Sequence, residues 1–211
     1  MSARTFFNMP CDGPISRIRD YLNSVELDSF YLINKNIRFS PGYYKSKALR
    51  IPREMSKQDI MLLLPALLFV EKISITSFSM DHLSILKNEC LELRHLVVDE
   101  KEPYQQVKSY VDQTIPQFMD LLSTFQNLRK LQISSGYYSK FPFPVEYIGQ
   151  MTELTWLDLS GLEISAFTSL SALKNLVYLD LSKTSLEDLP FLSALKKLQH
   201  LDLTRTYVSD I

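Results

Sequence analysis

The sequence predicts an α/β solenoid, in which parallel strands stack on the concave face and helices or turns return the chain along the convex face. Three observations carry that expectation. From Leu154 to Val208 the segments LTWLDLSGLEI, LVYLDLSKTSL and LQHLDLTRTYV recur with a period of 22 residues. Each sets leucines at relative positions one, four and six (Leu154, Leu157, Leu159; Leu176, Leu179, Leu181; Leu198, Leu201, Leu203). The second and third of each set alternate as the inward side chains of a strand do. Between the strands, ISAFTSLSALKN and LEDLPFLSALKK carry apolar residues at helical or turn-like intervals, which suits a return segment with one buried side. A unit this short cannot close a core alone, so its neighbours must stack on it.

That leucine spacing defines the leucine-rich repeat. Towards the N-terminus LRKLQIS (128–134), LRHLVVD (93–99) and VEKISIT (70–76) fit the same template, with separations of 26, 35 and 23 residues. A fainter candidate is SKALRIP (46–52), with Leu49 and Ile51 as the inward pair. The solenoid is therefore expected over residues 46–211, with about six to seven repeats, irregular to residue 150 and regular from residue 154. Two insertions, DEKEPYQQVKSY (99–110) and SSGYYSKFPFP (134–144), lengthen the irregular part. They read either as binding loops or, for Phe141 and Phe143, as packing that replaces a convex helix. The chain stops at YVSDI, just after the last strand, so the repeat of Leu198, Leu201 and Leu203 is expected to be the least stable.

Composition narrows the function classes. The 211 residues are 45% hydrophobic and 22% charged, enough apolar material for a sizeable core. A formal net charge of −1 supplies no field to recruit nucleic acid or an anionic membrane. Only Cys11 and Cys90 are present and no Asn-x-Ser/Thr acceptor occurs, which suits a reducing compartment, cytoplasmic or nuclear. The longest apolar run, Ile60 to Val70, has eleven residues and contains Pro65; it falls short of the roughly 20 that a membrane span needs and reads as a buried helix running into a strand. There is no Gly-rich phosphate loop, no Gly-x-Ser-x-Gly and no zinc-type Cys/His spacing, and the histidines are His82, His95 and His200. No enzyme chemistry, cofactor or metal is expected.

Residues 1–45 belong to no repeat. Ile15, Ile18 and Leu22, then Val25, Leu27, Phe30 and Ile33, fall at amphipathic helical spacing, which predicts a small helical bundle docked on a partner, on the first repeat, or on both. Met9-Pro10, the Ile18-x-x-Tyr21-Leu22 core, Leu27, and Ile33-Asn34-Lys35 resemble the F-box, over roughly residues 7–40. The Cys in LKNECLELRHLVV (86–98) is similar to the Cys-containing leucine-rich repeats of F-box proteins; a small buried filler reads equally well. The resemblance implies a substrate receptor of a cullin-RING ubiquitin ligase, with Pro10, Ile18, Tyr21, Leu22, Leu27 and Ile33 holding a Skp-type adaptor and the repeats holding the substrate. The LDLSKTSL and LDLTRTYV segments also resemble the Zyg-eleven group of cullin receptors, which implies an elongin-type adaptor instead. The alternative is a non-enzymatic interaction scaffold whose N-terminal helices merely cap the solenoid.

Stacked strands align equivalent positions, so the face that would meet a substrate can be written as two rows. One holds Lys72, His95, Lys130, Trp156, Tyr178 and His200; the other holds Ser74, Val97, Gln132, Asp158, Asp180 and Asp202. Aromatic anchors beside a column of carboxylates would suit a basic segment of a protein partner. The bland reading makes LDLS ordinary repeat language, with solvated aspartates.

Overall fold

The computed structural model describes residues 48–51, 55–58, 60–61, 72–76, 79–91, 93–100, 104–135, 143–164 and 167–208. Among these residues one parallel sheet runs in chain order through β1 (Ala48–Ile51), β2 (Lys72–Ile75), β3 (His95–Glu100), β4 (Lys130–Ser135), β5 (Trp156–Asp158), β6 (Tyr178–Asp180) and β7 (His200–Asp202). Every strand pairs with its sequence neighbour. This is the order a solenoid demands, because each unit returns to lie beside the last. The faint segment at 46–52 supplies β1, whose Leu49 and Ile51 align with Ile73 and Ile75. The F-box-like segment, with its six candidate adaptor contacts, lies outside the described residues.

The register lines the inward positions into a continuous core. Ile73, Leu96, Leu131, Leu157, Leu179 and Leu201 align across β2 to β7, and the first five are fully buried. Each such side chain contributes about 1.5–3 kcal/mol by leaving water. The last unit differs: Leu198, Leu201 and Leu203 are only partly buried.

Two kinds of convex element close these units. In the units after β2 and β3 they are true helices, α1 (Met80–Glu89) and α2 (Tyr104–Ser123). Ser79 caps α1, its hydroxyl accepting from the His82 amide at 3.3 Å, with Asp81 in the first turn and Lys87 in the last, as the helix dipole favours. Ile115, Phe118, Met119 and Leu122 bury one side of α2. The segment 99–110, expected as an inserted loop, thus lies partly in α2: residues 104–110 form its first turns, and the extra length of the 35-residue repeat houses a 20-residue helix. Residues 57–58 and 60–61 are helical, with Ile60 fully buried and Met61 exposed; the rest of the run expected as a buried helix, 62–70, lies outside the described residues. Cys90 closes α1 and is buried, and desolvation pushes its thiol up to about 12. It is an inert filler of the core.

The units after β4, β5 and β6 use short 3-10 turns instead, at Val145–Gln150, Thr168–Ala172 and Pro190–Ala194. These pack backbone to backbone. A Cβ placed on Gly149 would lie 2.7 Å from the Ser169 carbonyl oxygen, so only glycine fits there. Phe143, placed just before the first turn, is buried and joins the core.

Candidate functional site

Among the described residues the returns lie on one side of the seven-stranded sheet and leave the other side open, and both rows of outward residues lie on it. The strand pairing aligns Lys72, His95, Lys130, Trp156, Tyr178 and His200 in register. Four of their rings touch in series. Trp156 stacks on Tyr178, with centroids 4.9 Å apart and planes within 10°. His95 tilts against Trp156 at 5.9 Å, although β4 runs between their strands, so the indole leans over the position of Lys130. Tyr178 and His200 follow at 6.3 Å. Trp156 and Tyr178 are half-buried, while Lys72, Lys130 and His200 are exposed.

The two histidines of the row differ in setting. His95 is pushed down to about 4, first by burial and then by Lys72 and Lys130 on either side. It is a neutral imidazole at physiological pH, and its Nε2 is buried with no hydrogen-bond partner. His200 stands exposed four strands away, as the sequence order implied, so the pair cannot share a metal. Among the described residues no group of three His, Cys, Asp or Glu side chains is placed to hold a metal ion.

The second row aligns Ser74, Val97, Gln132, Asp158, Asp180 and Asp202. The aspartates act as ordinary repeat language, each in the same turn, and the expected solvation is corrected at Asp158, which is buried. Each Oδ1 accepts a backbone N–H two residues on: Ser160 to Asp158 at 2.9 Å, Ser182 to Asp180 at 2.9 Å and Thr204 to Asp202 at 2.8 Å. These Asx turns end the strands and swing the chain into the return. Asp158 is buried, and burial raises its carboxyl above the ordinary range, against hydrogen bonds from Ser160 and with repulsion from Asp180 and Asp202 adding to the rise. At the exposed end, hydrogen bonds from Thr204 hold the Asp202 carboxyl below that range. The Tyr178 hydroxyl is raised by desolvation and then by the three aspartates, so the column's field reaches the aromatic row.

A second feature of these turns was missed at the level of sequence. Gly161, Lys183 and Arg205 share one repeat position and one left-handed backbone, with φ of 75°, 60° and 62°. The signal was present: Gly161 aligns with Lys183 and Arg205 at 22-residue steps, and Asp-Leu-Ser/Thr is an Asx-turn pattern.

Residues 174–211 match the family model described as leucine-rich repeats, in two copies. No curated protein matches the chain. Among solved structures, a leucine-rich-repeat protein of Leptospira interrogans superimposes with a TM-score of 0.51 at 20% identity, over 74% of this chain and 36% of its own. Listeria monocytogenes InlP gives a TM-score of 0.50 at 16% identity, over 94% of this chain and 55% of its own. An internalin of the same bacterium, InlF, gives 0.49 at 17% identity, over 71% of this chain and 38% of its own. The chain thus spans roughly a third to a half of these proteins' lengths. It carries leucine-rich repeats and has the solenoid fold with a parallel sheet.

Proposed function

We propose that this chain is a protein-interaction scaffold that presents the open face of its leucine-rich-repeat sheet to a protein ligand. One observation carries the reading: the contiguous row His95, Trp156, Tyr178 and His200, stacked across β3 to β7 and only partly covered. Rigid aromatic side chains with few rotors lose little entropy on binding and dominate interface energetics. Trp156 is the chain's one tryptophan, so its fluorescence reports directly from the face. Selection of a randomised peptide library against the full chain, with counter-selection on a Trp156→Ala/Tyr178→Ala variant of unchanged circular dichroism, tests it. Enriched peptides should shift Trp156 emission and lose binding to the variant. Peptides that bind both proteins alike would place recognition elsewhere.

The finer assignment, a substrate receptor of a cullin-RING ubiquitin ligase in the cytoplasm or nucleus, is supported by the F-box-like sequence of residues 7–40 alone. In it Ile18, Tyr21, Leu22 and Leu27 hold a Skp-type or elongin-type adaptor, and the sheet holds the substrate at a fixed distance from the ligase. A pull-down of the full chain against each purified adaptor, with Tyr21→Ala/Leu22→Ala as control, tests it. Capture by one adaptor that the double variant loses is the expected result. Capture by neither reduces the assignment to the scaffold.

A further inference from the structure

The two outward rows carry their charges at opposite ends, with Asp99 beyond them on β3 accepting from the Ser134 hydroxyl. On the β2 and β4 side stand Lys72 and Lys130, both exposed, and among the described residues no ion pair engages either. His95 between them is neutral and adds no charge of its own. On the β5 to β7 side stand Asp158, Asp180 and Asp202. Each aspartate gives one oxygen to its own turn, but a carboxylate has about four acceptor sites, so the turn does not exhaust it. Between the two ends lie the stacked Trp156 and Tyr178.

We propose that the occupant of this face is an extended peptide segment of a protein partner, lying across the strands, with an acidic residue over Lys72 and Lys130, an apolar or aromatic middle over Trp156 and Tyr178, and a basic residue over Asp180 and Asp202. This rests on the scaffold reading above and deepens it by fixing the ligand's chemistry and direction. Charge complementarity selects the occupant: a purely basic segment would meet Lys72 and Lys130, and a purely acidic one would meet the aspartate column. The spacing follows from the fold. The midpoint of the lysine pair lies on β3 and that of Asp180 and Asp202 between β6 and β7, about 17 Å apart at the usual strand separation, which an extended peptide covers in roughly four to six residues. The segment has one polarity, since reversing it opposes like charges at both ends.

The peptides enriched on the full chain supply the test. They should carry an acidic and a basic residue separated by roughly four to six positions, with apolar or aromatic residues between them. Lys72→Gln/Lys130→Gln and Asp180→Asn/Asp202→Asn variants are then compared by Trp156 fluorescence titration. Asparagine keeps the turn-forming oxygen and removes only the charge. Each pair of substitutions should weaken binding roughly threefold to tenfold, as expected for exposed ion pairs. The lysine variant should abolish the preference for the acidic residue and the aspartate variant the preference for the basic one. Peptides that need Trp156 and Tyr178 but carry no charge pair, or bind both charge variants as tightly as the parent, overturn this inference and leave the scaffold reading standing. Peptides indifferent to Trp156 and Tyr178, or no enrichment at all, overturn both.

Discussion

The two halves of the sheet solve the same closure problem differently. Up to β4 the repeats are uneven, the strands β3 and β4 run six residues, and α-helices back the units after β2 and β3. From β5 onward the repeats are 22 residues, the strands run three residues, and 3-10 turns back them. The difference shows at one row. Val97 and Gln132 have no carboxylate to draw back the following amides, and β3 and β4 continue to Glu100 and Ser135. Asp158, Asp180 and Asp202 do draw them back, and their strands stop there. One aspartate per repeat therefore marks where each strand of the regular half ends.

The contrast can be broken at several points. The largest effect is expected in the core of the regular half: Leu179→Ala should cost about 3 kcal/mol in urea denaturation, because a fully buried leucine leaves a cavity. Leu201→Ala, at the equivalent but partly covered position, should cost about 1 kcal/mol, and amides around Leu201 should exchange faster than those around Leu157. Equal losses would mean that the last repeat is as firmly packed as the others. Next is Gly149→Ala, which should lower stability by about 1–3 kcal/mol by pushing the convex turns apart; an unchanged melting temperature would show that the turns can separate freely. Asp180→Ala should cost about 1–2 kcal/mol, Asp180→Asn under about 0.5, and Gln132→Ala in the irregular half under about 0.5. If asparagine proved as harmful as alanine, charge and not turn geometry would explain the column. Smallest is Lys183→Gly, expected to stabilise by up to about 1 kcal/mol by relieving a left-handed lysine. A loss on that change would assign the lysine side chain a contact of its own.

Much of this fold was legible because the leucine period is a direct image of strand stacking. Both outward rows, from Lys72 to His200 and from Ser74 to Asp202, could be written from alignment alone, and the strand register places them as written. What sequence reasoning lacked was the local backbone. The turn role of the aspartates went unread because a main-chain amide two residues away satisfies it, beside the surface role that the outward row already suggested. The segment at 99–110 looked like a loop because its sequence is polar and contains Pro103, and the apolar period becomes plain only at Ile115 and Phe118. The contact of His95 with Trp156 across an intervening strand was not foreseeable from register, since it depends on where a long indole leans.

The repeated left-handed residue after each strand makes the regular half a ruler. Because Gly161, Lys183 and Arg205 turn the chain alike, a 22-residue unit can be duplicated or deleted between Ser160 and Ser182 with each junction meeting the neighbour it already expects. Every unit gained or lost moves the lysine end of the face and its aspartate end by one strand, about 4.8 Å. Selectivity for the length of a bound segment can thus change in fixed graduations while each contact residue stays what it was.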